Sequence, residues 1–201
     1  MKRFLIFAAL LYGFTLLGCT TNKEQSDAID GRFVRITEKL SSHTVNDIIE
    51  DKLGYIWVAT DRGLNKYNGY DYHNYFHTSN PHSLADNQVK TLLCDSRGII
   101  LVGTVLGLCH YTKEDRFEQV TLMDPLSPYI QAIHETAEGR IVVQTNTQLE
   151  IYDWDQRKRT IVPRSSHKLE TPFCRTFSDK QGRVWIIYPD RIEWHDFDKG
   201  T

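Results

Sequence analysis

Glycines recur at positions 54, 98, 139 and 182, spaced 44, 41 and 43 residues apart, and each sits in the same short passage. The passages are DKLGYIWVATDRGLNKY from Asp51, DSRGIILVGTVLGLCHY from Asp95, TAEGRIVVQTNTQLEIY from Thr136 and DKQGRVWIIYPDRIEWH from Asp179. A period of roughly 40–45 residues with four short strands per unit is that of a β-propeller blade. The chain is therefore read as all-β, built of about four four-stranded blade repeats of 41–44 residues, and as a partial propeller.

Each unit supplies the same parts. Ahead of the glycine stands a short apolar run expected to be the innermost strand: Val45 to Ile49, Val89 to Leu93, Ile130 to Ile133 and Phe173 to Phe177. The glycine provides a turn with φ > 0. A near-continuous apolar run follows at Ile56–Thr60, Ile100–Thr104, Ile141–Thr145 and Val184–Tyr188, as expected of a strand packed on both faces. After a polar turn come Leu64–Tyr67, Leu108–Tyr111, Leu149–Tyr152 and Ile192–His195. Outer strands are expected at Tyr72–His77, Phe117–Leu122 and Arg159–Pro163. No segment after residue 30 sustains helical apolar spacing between caps. A lone strand at Phe33–Ile36 precedes the first unit, and the fourth unit lacks an outer strand of its own. That count suits a four-bladed ring closed by the first strand, or a chain cut part-way through a longer propeller; truncation or an open arc is the expectation carried forward.

Residues 1-19 are read as a targeting segment, 20-31 as a polar tether and 32-201 as propeller repeats, with blades near 40-83, 84-126, 127-169 and 170-198. Lys2 and Arg3 precede the apolar stretch Phe4 to Leu17, which is shorter than the roughly 20 residues of a membrane span. It ends in Leu16-Leu17-Gly18-Cys19, which resembles a bacterial lipobox and makes Cys19 a lipidation candidate. An ordinary secretory signal or an uncleaved anchor remains the alternative, and either reading puts the mature chain outside the cytoplasm, periplasmic and held at the membrane. Three cysteines then remain, Cys94, Cys109 and Cys174, each inside a strand-like run and expected as a buried free thiol. With 24 basic and 26 acidic residues, nucleic acid is not an expected partner.

Little points to catalysis. His73 and His77 fall on a predicted strand, about 13 Å apart on one face, too far to share a metal. The aromatic run YNGYDYHNYFH from Tyr67 offers sugar-stacking surfaces or ordinary outer-strand packing. Trp57, Trp185 and Trp194 lie in strands and are expected in the core or between blades. Asp51, Asp95 and Asp179 recur just before the turn glycine and are expected to bond turn amides. No cofactor and no metal are expected.

The passage NDIIEDKLGYIWVATDRGLNKYNG, Asn46 to Gly69, resembles the repeat of the two-component regulator propeller family. Ile48-Ile49, Glu50-Asp51, Gly54, Ile56-Trp57, Thr60, Gly63-Leu64 and Tyr67-Asn68-Gly69 carry the resemblance, with Ala59 in place of a usual glycine. The second unit keeps Asp95, Gly98, Gly103-Thr104, Gly107-Leu108 and Tyr111; the third and fourth are more divergent. The resemblance extends over roughly residues 32–198 and implies the N-terminal part of the periplasmic sensor region of a hybrid histidine kinase. It implies sensing of glycan breakdown products, a second propeller or dimer partner, and a kinase module beyond this stretch. Ligands of propellers approach one face near the axis, built from loops that lead into the innermost strand and from turns after the second strand. Candidate ligand contacts there are His43, Asn46, Asp61, Arg62, Asn87, Gln88, Gln131, Asn146 and Asp190. An oligosaccharide sensor is the leading expectation; a lipid-anchored interaction scaffold or sensor remnant is the alternative, and a propeller lyase is disfavoured.

Overall fold

The structure, a computed structural model, describes residues 39–199. The targeting segment, Cys19, the tether and the strand expected at Phe33–Ile36 lie outside the described residues. Fifteen strands and no helix make up the described part. Sheet I holds β1 (Val45–Glu50), β2 (Ile56–Thr60), β3 (Gly63–Tyr67) and β4 (Tyr72–Tyr75). Sheet II holds β5 (Val89–Cys94), β6 (Ile100–Thr104), β7 (Leu108–Tyr111) and β8 (Phe117–Val120). Sheet III holds β9 (Ala132–Glu135), β10 (Ile141–Gln144), β11 (Gln148–Asp155) and β12 (Thr160–Lys168). Sheet IV has three strands, β13 (Arg175–Ser178), β14 (Val184–Ile187) and β15 (Ile192–His195). Every sheet is an antiparallel meander in sequence order, and successive inner strands β1, β5, β9 and β13 lie side by side. This is an arc of propeller blades.

Several expected spans shift: β4 stops at Tyr75, short of His77, β8 stops at Val120, short of Leu122, and β11 extends from Gln148 to Asp155. β9 begins at Ala132, not Ile130, because the Ile130 amide donates back to Thr104 O of the preceding blade at 2.9 Å. β13 begins at Arg175, past the exposed Phe173. β12 runs to Lys168, well beyond Pro163, because a bulge between Ile151 and Tyr152 lets the long hairpin β11–β12 keep its pairing past the proline.

The core lies between the sheets. Trp57, Ala59 and Leu64 of sheet I pack on Val89, Val102 and Phe117 of sheet II. Leu101, Leu108 and Val120 of sheet II meet Ile133, Ile141 and Tyr152 of sheet III. Val142, Leu149 and Ile151 of sheet III meet Val184 and Ile186 of sheet IV. The middle strands of sheets II and III are apolar on both faces because each feeds two such interfaces. Cys109 and Cys174 are buried free thiols, while Cys94 is only half-buried.

The recurring aspartates hold the β-turns. Asp51 Oδ1 accepts from the Leu53 and Tyr55 amides at 2.9 and 3.0 Å, and Oδ2 accepts from the Trp57 indole at 2.8 Å. Asp179 repeats this with the Gln181 and Arg183 amides and the Trp185 indole. Desolvation pushes the Asp179 carboxyl up, but the Trp185 indole and Arg183 outweigh it and hold it at about 2. Within the aromatic run from Tyr67, Tyr75 packs, stacking on Trp57 and meeting Tyr111 and Phe117 of the next blade, while Tyr70 is exposed. His77 Nδ1 lies 2.7 Å from Leu84 O, and His73 packs on the Tyr75 ring.

Candidate functional site

At the end of the sheets where the inner strands begin, a recess of about 690 Å³ is lined by Asn46, Lys90, Tyr129, Gln131, Asn146, Pro172 and Phe173. The ladders β1–β2 and β5–β6 both slip at the same place, between Val45 and Asp47 and between Val89 and Thr91. The residues left unpaired by these bulges are Asn46 and Lys90. A bulge removes its extra residue from the ladder and re-aims the side chain, and here two bulges turn polar groups toward the axis. Gln131 takes the same place in sheet III, each of the three standing eight residues before its turn glycine.

A second repeated position, seven residues after the glycine, answers the first. Asn46 Nδ2 donates to Asp61 Oδ1 at 2.8 Å, and Gln131 Nε2 donates to Asn146 Oδ1 at 2.6 Å. Sheet II has Val105 at the second position, so Lys90 reaches instead to Asp61 Oδ1 of sheet I at 2.9 Å. The Asn46 and Lys90 hydrogen bonds lower the Asp61 carboxyl below its usual range, so it is ionised at neutral pH. Asn46 also donates to Val89 O at 2.7 Å, tying two blades at the rim.

The recess is connected to the interior by a chain of hydrogen bonds. Gln144, fully buried, donates to Gln131 Oε1 at 3.0 Å and to Cys174 O at 3.2 Å. Its Oε1 accepts from Thr176 Oγ1 at 2.6 Å, and Thr176 Oγ1 lies 2.7 Å from His134 Nε2. Burial pushes the His134 pKa down to about 4, so the imidazole is neutral. Gln144 stands where the first unit has Ala59 and the second Gly103, and its amide fills the space with polar partners.

Of the sequence-predicted contacts, the recess gathers Asn46, Gln131 and Asn146, with Asp61 bonded behind them. It does not gather the other five. His43 and Arg62 are exposed, and the Arg62 amide bonds Thr60 Oγ1. Asn87 is bound up in scaffold, its Oδ1 accepting from the His77 amide and its O from the Gly63 amide. Gln88 O accepts from the Val105 amide, and Asp190 pairs with Arg191 at the surface. Lys90, Tyr129 and Phe173 were missed. The signal for Lys90 was its register eight before Gly98, which matches Asn46 and Gln131. Among the described residues no group of three His, Cys, Asp or Glu side chains is placed to hold a metal ion.

The fold and rim define a class, an arc of β-propeller blades with a polar axial recess. Residues 39–62 match the family described as two component regulator propeller, so the chain carries a repeat of that family. Over 72 residues it is 33% identical to histidine kinase P4 of Formosa agariphila, a match spanning 36% of this chain and 5% of that protein. The extracellular domain of a putative hybrid two component system from B. thetaiotaomicron superposes with TM-score 0.65 at 16% identity, over 79% of this chain and 24% of that one. Virginiamycin B lyase from Staphylococcus aureus superposes with TM-score 0.60 at 15% identity, over 79% of this chain and 54% of that one. The chain thus spans only a small part of the length of its kinase relative and about a quarter of the extracellular domain. An extracellular domain of a putative two component system and a lyase share this blade geometry, so the fold alone does not assign the activity.

Proposed function

We propose that these blades form an extracytoplasmic sensing segment that binds an oligosaccharide at the axial recess. The observation that carries this is the pair of polar rungs, Asn46–Asp61 and Gln131–Asn146, set at matching repeat positions around one opening. Amide side chains offer donors and acceptors together, which is what neighbouring sugar hydroxyls require. Tyr129 and the exposed Phe173 add rings on which an apolar sugar face can stack. The family repeat and the extracellular domains with this fold support placement outside the cytoplasm. In this reading the blades bind and do not catalyse, and phosphotransfer belongs to a separate kinase module. Cys19 carries the lipid that tethers the chain, and the mass of the mature protein tests that point.

Calorimetric titration with a panel of neutral and acidic oligosaccharides tests the recess. Saturable heat for at least one member is expected, with affinity falling roughly tenfold or more in Gln131→Ala combined with Asn146→Ala. No binding by folded protein, or unchanged affinity in the double variant, sinks the reading. A scaffold role is the second reading. It is favoured by the exposed apolar face of sheet IV, with Phe177, Ile192 and Trp194, as a docking face for a further blade of the same repeat.

A further inference from the structure

At the opposite end of the sheets from the axial recess lies a second cavity, of about 520 Å³. It runs across the turns β1–β2, β5–β6, β7–β8 and β11–β12, so three successive blades contribute to it. None of the expected ligand contacts lines it. Its walls include Trp154, at the far end of β11, together with Tyr111 and His110 of β7. His110 sets its ring edge-on to Trp154 at 6.3 Å, and the Arg97 guanidinium lies over the same indole at 5.5 Å.

The charge lining this cleft is unbalanced. Six cationic side chains and three carboxylates face it. The carboxylates are partly spent: Asp51 holds its own turn, and Glu118 pairs with His82 at 3.0 Å. Arg97 is committed to the buried Asp95 at 2.7 Å and to Gly139 O at 2.8 Å. Lys113, Lys158 and Arg159, by contrast, form no ion pair among the described residues. Lys66 forms no ion pair among the described residues: its ammonium donates to Tyr111 Oη at 3.4 Å and lies 4.3 Å from the Tyr55 centroid and 5.0 Å from those of Trp57 and Tyr111. Clustered like charges with low-dielectric walls focus a positive field into the cleft. His110 adds a second sign of an unfilled site. Its side chain is buried, and Nε2 has no hydrogen-bond partner. Burial pushes its pKa down, so a neutral imidazole stands there with an unmet polar atom.

We propose that this cleft is a binding site for a small organic anion that carries a ring, the ring lying along Trp154 beside His110 and the anionic group meeting Lys113, Lys158 and Arg159. The site is separate from the axial recess and does not depend on an oligosaccharide binding there. Aromatic walls favour a flat or apolar ring face, and the three uncommitted cations favour a carboxylate over a neutral head. Aromatic acids and sugar acids share this chemistry.

Titration of the full chain with phenylacetate and with glucuronate, beside neutral phenylacetamide and glucose, tests the assignment. At least one of the two anions is expected to saturate, with its neutral counterpart roughly tenfold weaker or worse and the affinity falling as salt is raised. Saturation by phenylacetate alone identifies an aromatic acid as the source, and by glucuronate alone a sugar acid. Lys113→Glu with Lys158→Glu, both exposed and remote from the sheet core, is expected to abolish that binding while the circular dichroism spectrum and unfolding midpoint stay unchanged. Asn146→Ala at the other end is expected to leave it intact. Equal binding of charged and neutral probes overturns the site, as do no binding by either anion and full affinity in the double-glutamate variant. Loss of anion binding in Asn146→Ala would move the anion to the axial recess and also overturn it.

Discussion

Gly182 has φ +76, and a Cβ there would stand 2.1 Å from Ala137 N and 2.7 Å from Ala137 Cβ in the preceding blade. Gly69 has a similar φ of +96 but nothing within 4 Å. The pair separates backbone strain from close approach. Gly69→Ala should cost about 1 kcal/mol, the strain alone. Gly182→Ala should cost about 2 kcal/mol more, because backbone of the adjoining sheet must move. Urea unfolding of the two variants measures the difference, and equal costs would show that sheets III and IV do not approach as described. The sequence marked both glycines as turns, since the turn chemistry is local. It could not distinguish them, since Ala137 comes near Gly182 only through blade packing. The same limit hid Lys90 and Trp154. Their chemistry was plain from residue type, but the bulge that turns one inward and the long hairpin that carries the other to a cleft are products of pairing across strands.

Among the elements, β9, β10 and β13 are joined by side chains as well as by ladders. His134 of β9 meets Thr176 of β13, which bonds Gln144 of β10, which bonds Gln131 at the rim. The folded pKa of His134, about 4, lies below the ordinary value of 6.5. As pH falls, the unfolded chain therefore takes up the proton first, and the folded state loses stability between pH 6.5 and 4. The loss from pH 7 to pH 5 should be about 2 kcal/mol from this group. Urea midpoints at the two pH values should show it in the parent and not in His134→Gln, which cannot titrate. An identical acid dependence in the variant would assign the loss to other groups. Because Gln131 ends the same chain and the folded imidazole stays neutral down to about pH 4, ligand affinity at the recess should hold to pH 5 and weaken only as the pH approaches 4. Strand positions in these blades were legible because apolar runs and turn glycines repeat. The polar chain was not, because Gln144 and His134 look like drift until three strands set them in line.

Over the whole molecule, one repeat position shows how the arc is built. Three residues after each turn glycine stand Trp57, Leu101, Val142 and Trp185. The first three are fully buried, each beneath the next sheet. Trp185 is only half-buried and stacks on Phe177 at 6.0 Å, although its indole keeps the same aspartate bond as Trp57. Around it Phe177, Trp194 and Ile192 remain 44%, 46% and 63% exposed. The face of sheet IV is thus made like the three interfaces before it, with no sheet upon it among the described residues. The equivalence yields a contrast that can be measured. Trp57→Ala should cost about 3–5 kcal/mol, as for an aromatic removed from a closed core. Trp185→Ala should cost less than half of that, since little of its packing exists to be lost. Phe177→Ser with Trp194→Ser should lower binding of a hydrophobic dye while shifting stability by only about 0.5 kcal/mol. If Trp185→Ala proves as costly as Trp57→Ala and the double serine variant unfolds, the face is already covered, and sheet IV is an interior blade of a closed assembly rather than an open end.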